Sequence, residues 1–260
     1  MHPMLNIAIR AARAAGTVIL RHMERIRDLP VETKGRNDFV SEVDHKAEAA
    51  IIQHLHKAYP HHAILAEESG DHGSNKDFLW IIDPLDGTTN YLHGFPQFAV
   101  SIALQYRGRL DQAVVYDPLR NELFTASRGS GAQLDGRRIH VSRQKSLEGA
   151  LLGTGFPFRE LGHLDEYLDT FRALITRTAG IRRAGAAALD LAYVACGRLD
   201  GFWEFGLKPW DIAAGALLIE ESGGLICDIS GNSDYLQNGN ILAGTPSLHE
   251  AMLGIFRQMN

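Results

Sequence analysis

Asp83 and Asp86 flank a proline in the stretch Trp80-Ile-Ile-Asp-Pro-Leu-Asp-Gly-Thr-Thr-Asn-Tyr. The apolar run before them, Phe78 to Ile82, has the composition of a buried strand, and the chain turns polar directly after it. Two carboxylates at such an end can hold a hard cation, and the peptide carbonyls between them, Leu85 in particular, are further hard ligands. Pro84 has no N–H and a set φ, which predicts that ladder pairing ends there. Gly87, Thr88 and Thr89 follow, with N–H and O–H donors for an anion. Cation and anion seats side by side suit metal-assisted phosphate chemistry. The same residues also suit a plain solvated turn, since Asp-Pro and Asp-Gly are turn formers.

Other acids could complete such a site. Glu67-Glu68 follows the apolar segment Ala63 to Ala66. On a strand, adjacent carboxylates point to opposite faces, so one of the two can face a site. Asp211 opens a strongly apolar helical stretch after Pro209-Trp210. It is either a first-turn acid that stabilises the helix or a second metal anchor from the far half of the chain. The Thr88 hydroxyl needs an acceptor if it is to activate water, and Asp44 can supply one if its helix packs nearby. Arg182-Arg183 precedes the small residues Gly185, Ala186 and Ala187. That segment reads equally as a surface pair or as a substrate contact with room left for a ligand. Glu220 and Glu221 read as surface acids.

Composition narrows the classes. The chain has 260 residues, 45% hydrophobic and 22% charged, which suffices for a sizeable core. Its formal charge of -5 gives no global field favouring nucleic acid, and no basic patch suggests direct RNA reading. The two cysteines, Cys196 and Cys227, form no C-x-x-C pair, which argues against zinc and disulfide frameworks. His54, His56, His61 and His62 lack helical metal-pair spacing and read as surface residues. The N-terminal stretch is interrupted by Arg10, Arg13 and Arg21, unlike a signal peptide. No apolar run reaches the ~20 residues of a membrane span. A soluble cytoplasmic protein is the expectation.

The elements that must position these residues follow from periodicity. Leu5 to Met23 reads as an amphipathic helix. The polar segment Lys34 to Asp38 reads as a loop or hairpin tip. A second helix is predicted from about Ser41 to Tyr59, with Ala47, Ala50, Ile51, His54, Leu55 and Ala58 on one face and Pro60 ending it. Strands are predicted at 63–66, 78–82, 98–106, 110–116, 122–127 and 132–134, with a tight turn at Asp135-Gly136. Beyond Leu147 the pattern becomes mixed. Strands are predicted at 150–154, 200–204, 225–228 and 240–243, and helices at 164–177, 187–195, 210–222 and 249–258. The chain thus reads as one domain over 1–260. Its α+β half spans about 1–147 and its α/β half about 148–260, with no linker between them.

Three motifs together resemble the inositol monophosphatase family, within the lithium-sensitive, magnesium-dependent phosphatase superfamily. They are the Trp80 to Tyr91 stretch, the Trp210-Asp-Ile-Ala-Ala-Gly-Ala-Leu-Leu-Ile-Glu-Glu-Ser-Gly-Gly stretch, and Glu67-Glu68-Ser69 upstream. The resemblance covers nearly the whole chain. It implies a layered αβαβα fold, usually a homodimer, and hydrolysis of small polyol phosphates such as inositol monophosphate. It implies that Glu67, Asp83 and the Leu85 carbonyl hold one Mg²⁺, that Asp83, Asp86 and Asp211 hold a second, and that Glu67 touches a third. Gly87 and Thr88 would seat the phosphate, with Thr89 beside them. Glu67 and the pair Thr88–Asp44 would orient and deprotonate water. Glu204, Arg183 and Gly185 to Ala187 would line the alcohol side, together with Asp86 and Asp211. Lys34 matches the family's mobile loop in type. The superfamily likeness also extends to hydrolases of fructose bisphosphate, nucleotide 3′-phosphates and histidinol phosphate. A closer likeness within the family rests on Met1-His-Pro-Met-Leu-Asn-Ile-Ala, Thr154-Gly-Phe-Pro-Phe and Ala188-Leu-Asp-Leu-Ala-Tyr-Val-Ala. It implies a further role as a protein partner of the transcription antitermination machinery on ribosomal RNA operons.

Overall fold

The computed structural model describes residues 2–23, 25–26, 31–35, 38–157 and 161–259, with the segments between 31 and 39 described by backbone alone. Helix α1 (Pro3–Met23) leads to the hairpin β1 (Val31–Gly35) and β2 (Asp38–Ser41), then α2 (Glu42–Ala58). An eight-stranded sheet follows, from β3 (His62–Ala66), β4 (Gly70–His72), β5 (Asn75–Asp86), β6 (Ala99–Tyr106), β7 (Arg109–Asp117), β8 (Glu122–Ser127), β9 (Gly131–Leu134) and β10 (Arg137–Arg138). A short helix, α3 (Thr88–Leu92), joins β5 to β6. The second half contains β11 (Leu151–Thr154), α4 (Leu164–Ile175), β12 (Gly180–Arg182), α5 (Ala187–Ala195), β13 (Gly201–Glu204) and α6 (Pro209–Glu221). It ends with β14 (Leu225–Cys227), α7 (Tyr235–Asn238), β15 (Ile241–Gly244) and α8 (Pro246–Phe256).

The large sheet has the order β10-β9-β8-β7-β6-β5-β3-β4 and is antiparallel except where β3 runs parallel to β5. The five-stranded sheet has the order β12-β11-β13-β15-β14. Period-two alternation sorts the large sheet's side chains. Trp80, Ile82, Ile102, Leu104 and Val114 face the core under α1 and α2. Ile81, Ala99, Ala103, Ala113 and Val115 face the core shared with α5 and α6. Helices α5 and α6 lie between the two sheets, and α4 and α8 cover the far face of the smaller one. The layers are therefore αβαβα, as the resemblance implies.

Helix α2 begins at Ser41 because two reciprocal bonds satisfy its first turn. The Val43 N–H donates to Ser41 Oγ at 3.2 Å, and the Ser41 N–H donates to Asp44 Oδ2 at 2.8 Å. Its buried side differs from the expected face. Val43, Asp44, Ala47, Glu48, Ile51 and Leu55 are buried, so two acids lie on the inward side. Pro84 also departs from expectation, because β5 does not end there. It continues to Asp86, with Asp83 opposite Ser101 and Asp86 opposite Ala99, and bulges between them. A proline removes one ladder donor, and a bulge accommodates that loss without ending the pairing. Strands β4 and β12 and helices α3 and α7 are too short to show a period and were not expected. His62 is no plain surface residue, since its ring stacks between Tyr59 and Phe78 at 4.7 and 4.4 Å.

Candidate active site

The bulge of β5 is what brings the two aspartates of the opening motif together. Asp83 Oδ1 accepts the Leu85 N–H at 2.9 Å, which folds the Asp-Pro-Leu turn over its own first residue. Asp86 then accepts the Ala188 N–H on Oδ2 at 2.8 Å. That donor is in the first turn of α5, where helical N–H groups lack intrahelical acceptors. Asp211 arrives from α6. The Ser101 hydroxyl, opposite Asp83 in the sheet, donates to the Trp210 carbonyl at 3.1 Å and pins the start of α6 to the large sheet. Asp211 Oδ2 accepts the Lys208 N–H at 2.7 Å, so it is a first-turn acid and a site carboxylate at once.

Asp83, Asp86 and Asp211 are all buried, and each offers a carboxylate oxygen within 4.8 Å of the others. Burial, then the charges of Glu67, Asp86 and Asp211, hold the Asp83 carboxyl well above the ordinary range. Burial, then Asp211, does the same to Asp86, while the Ala188 N–H pulls it back. Glu67 lies against Asp83 and is the first of the charges that raise its carboxyl. Hard oxygen donors crowded this closely fit a divalent cation of the Mg²⁺ type, whose charge offsets their mutual repulsion.

Thr88 lies at the start of α3, after Gly87 at φ +89°. A Cβ at Gly87 would lie 2.8 Å from the Gln97 carbonyl oxygen, so only glycine fits. The Thr88 hydroxyl is 3.0 Å from both Asp44 Oδ1 and the Leu85 carbonyl oxygen, and its one proton serves one of them at a time. Asp44 Oδ2 accepts the Ser41 hydroxyl at 2.7 Å and the Ser41 N–H at 2.8 Å. Burial raises the Asp44 carboxyl above its ordinary range, against the lowering effect of these bonds. The Thr88–Asp44 proximity that the sequence left open is therefore present.

One cavity of about 540 Å³ gathers these groups. Glu67, Asp83, Leu85, Asp86 and Asp211 line it, together with Gly87, Thr88 and Thr89. Arg183, Gly185, Ala187 and Glu204 also line the cavity, with Gly185 next to Gly87. Asp44 is buried behind Thr88, and Ala186 is buried in the inter-sheet core rather than on the cavity wall. The Lys34 side chain lies outside the described residues. Glu67 and Glu68 occupy a turn after β3, not a strand, and the Glu68 N–H donates to the buried Glu48 carboxylate of α2 at 2.8 Å. Glu221 is not a free surface acid either, since its oxygens accept the Gly129 and Gly131 N–H groups, each at 2.6 Å.

Several cavity residues were not expected from the sequence. Phe156 lies under the Arg183 guanidinium, 5.0 Å from ring centroid to Cζ. Asn90, His93, Pro157, Phe205, Gly206 and Leu207 complete the wall. Asp190 of α5 is buried behind it, and burial, then Asp86, hold its carboxyl well above the ordinary range. Asn90 carried a signal through its place in the Asp-Gly-Thr-Thr-Asn motif, and Phe156 and Pro157 lie in the Thr154-Gly-Phe-Pro-Phe stretch.

A model of the inositol monophosphatase family matches residues 1–260. The chain belongs to the inositol monophosphatase family. It is 60% identical over 258 residues to the Nus factor SuhB of Pseudomonas aeruginosa, covering 97% of this chain and 95% of that one. The crystal structure of the extragenic suppressor protein SuhB from Bartonella henselae superposes with a TM-score of 0.96 at 43% identity, over 99% of each chain. The Thermotoga maritima IMPase superposes at 0.90 with 35% identity, over 99% of this chain and 98% of that one. The family is one of metal-dependent phosphatases, and this chain holds a buried acidic cluster at Asp83, Asp86 and Asp211. No helix among the described residues is long and apolar enough to cross a membrane.

Proposed function

We propose that the chain is a Mg²⁺-dependent phosphomonoesterase acting on inositol monophosphate and similar small polyol phosphates. One observation carries the reading. Three buried carboxylates converge beside a Gly-Thr-Thr turn, in one cavity with room for a small polyol phosphate. In this reading Glu67, Asp83, the Leu85 carbonyl, Asp86 and Asp211 hold Mg²⁺. When bound, Mg²⁺ supplies positive charge to the attacking and leaving oxygens of the ester.

The chain's own residues do the rest. Gly87, Thr88 and Thr89 seat the phosphate, using first-turn N–H groups that have no helical acceptor. The Thr88 hydroxyl, held by Asp44, aims the attacking water, and Glu67 accepts its proton. Glu204, with a carboxylate facing the cavity, accepts hydrogen bonds from the alcohol's hydroxyls. Arg183 and the Gly185-Ala187 backbone close the same side.

Phosphate release from a panel of esters tests this. Inositol 1-phosphate is set against fructose bisphosphate, a nucleotide 3′-phosphate and histidinol phosphate. Turnover is expected to be fastest on the inositol ester, to vanish with chelator and to fall with lithium. No Mg²⁺-dependent release from any ester would defeat the reading, and a clear preference for another ester would replace the substrate.

A second role is supported by the 60% identity to a Nus factor. We propose that the same chain, a single-domain cytoplasmic homodimer, also serves as a protein partner of the transcription antitermination machinery. That role would use the outer surface. A variant without phosphatase activity should then still rescue growth of a strain lacking the protein, and failure to rescue would tie the growth role to catalysis.

A further inference from the structure

Asn90 has no part in the chemistry above, yet it makes the densest set of cross-chain bonds in the motif. Its amide nitrogen lies 2.8 Å from the Gln97 carbonyl oxygen, 2.9 Å from that of Ala184 and 3.1 Å from that of Gly185. An amide offers two N–H donors, so all of its donor capacity is directed at three carbonyls. Ala184 and Gly185 are 94 and 95 residues away in sequence. The same segment is tied at its other end by the bond from the Ala188 N–H to Asp86. Segment 184–188 is therefore clasped twice by one turn, through a carboxylate at 86 and an amide at 90.

The geometry between the two ties leaves little slack. A Cβ at Gly87 would come within 3.3 Å of both the Gly185 carbonyl oxygen and Ala186 Cβ. Gly185, at φ +84°, lies against the Arg183 guanidinium, where a Cβ would be 2.5 Å from Nη1. The clasp thus fixes the seat of Arg183 as well as the backbone on which it sits. Gly87, Thr88, Arg183, Gly185 and Ala187 all line the cavity, with Gly87 packed directly against the clasped segment.

We infer that Asn90 is a positioning residue that holds segment 184–188, on the alcohol side, in register with the phosphate-seating turn. It thereby governs which alcohol is accepted, rather than the handling of the phosphate. The inference rests on the reading of the cavity as a phosphomonoester site. Removing the amide frees the 184–188 backbone, and a misplacement at the alcohol end weakens substrate fit without touching the Gly87–Thr88 donors.

Asn90→Ala and the near-isosteric Asn90→Asp, which cannot donate, test it in the full chain with Mg²⁺. The KM for inositol 1-phosphate is expected to rise about tenfold in both, while inhibition by inorganic phosphate changes less than about threefold. Amide hydrogen exchange in 184–188 is expected to speed up in both variants, with the melting temperature and exchange elsewhere retained. Unchanged exchange in 184–188, or phosphate inhibition weakened as much as KM is raised, would overturn the inference. A wild-type protein that hydrolyses no ester would remove the phosphatase reading instead, and the exchange comparison would still decide whether the clasp exists.

Discussion

Asp86 serves two ends with two oxygens. One accepts the Ala188 N–H at the start of α5, and the carboxylate also faces Asp83 and Asp211 in the acidic cluster. The two jobs separate by mutation. In Asp86→Asn the amide oxygen can still accept the Ala188 N–H, so the helix start is kept, and one buried like charge is removed. Binding of a cation needs the charge itself. Turnover is expected to fall by more than about a hundredfold, with the melting temperature held or raised. Wild-type Mg²⁺-dependent turnover in this variant would exclude Asp86 as a ligand. Thr88 and Asp44 show the same economy. The acid that completes the cap of α2 also receives the Thr88 hydroxyl, so the start of a helix and the aim of a hydroxyl share one carboxylate.

Helices α5 and α6 form the layer on which the distal half of the cavity depends, because α5 starts at Ala187 and α6 carries Asp211. Both are small-residue helices, with Ala188, Ala192, Ala213, Ala214 and Ala216 fully buried. Gly215 is the point of closest approach. A Cβ there would lie 2.5 Å from Leu191 Cβ, an atom fixed to the backbone and unable to swing away. Gly215→Ala would normally favour a helix, but here it must push α6 off α5. A loss of about 1–3 kcal/mol in stability is expected, the usual cost of overpacking. Reversible urea unfolding measures it, and a gain in stability would show that the two helices do not approach as described. The same displacement would move Asp211, so Mg²⁺ affinity is expected to drop with it.

The acidic cluster joins the large sheet to an inter-sheet helix, beside the bond from the Ser101 hydroxyl to the Trp210 carbonyl. Asp83 and Asp86 lie on the large sheet, and Asp211 lies on the inter-sheet helix α6. A cation held there binds the folded state alone, because the unfolded chain does not bring these residues together. At about a hundredfold excess over its dissociation constant it adds roughly 2.7 kcal/mol of stability. For a chain of this size that corresponds to a rise of several degrees in melting temperature. Thermal unfolding with Mg²⁺ against chelator reads this directly, and identical curves in wild type would argue against a cation at the cluster. Asp86→Asn should lose most of the Mg²⁺-dependent rise.

Much of this molecule was legible in its sequence. The period-two runs marked the central strands because a half-buried strand must alternate, and Ser41 and Pro209 marked two helix starts because first-turn donors need acceptors or a residue without one. The acids at 67, 83, 86 and 211 could be read as a set only through their motifs, since nothing local distinguishes a ligand from a capping or turn acid. Two things stayed out of reach. The chain continues in strand past Pro84, because the cost of a missing donor depends on whether β5 can bulge against β6 and resume the pairing at Asp86. The clasp of Asn90 on Ala184 and Gly185, and the bond of Glu48 to Glu68, join segments far apart in sequence. Local pattern determines which face a side chain takes. Which backbone carbonyl or N–H waits opposite that face is decided by how the layers stack, and that depends on the summed packing of every element between them.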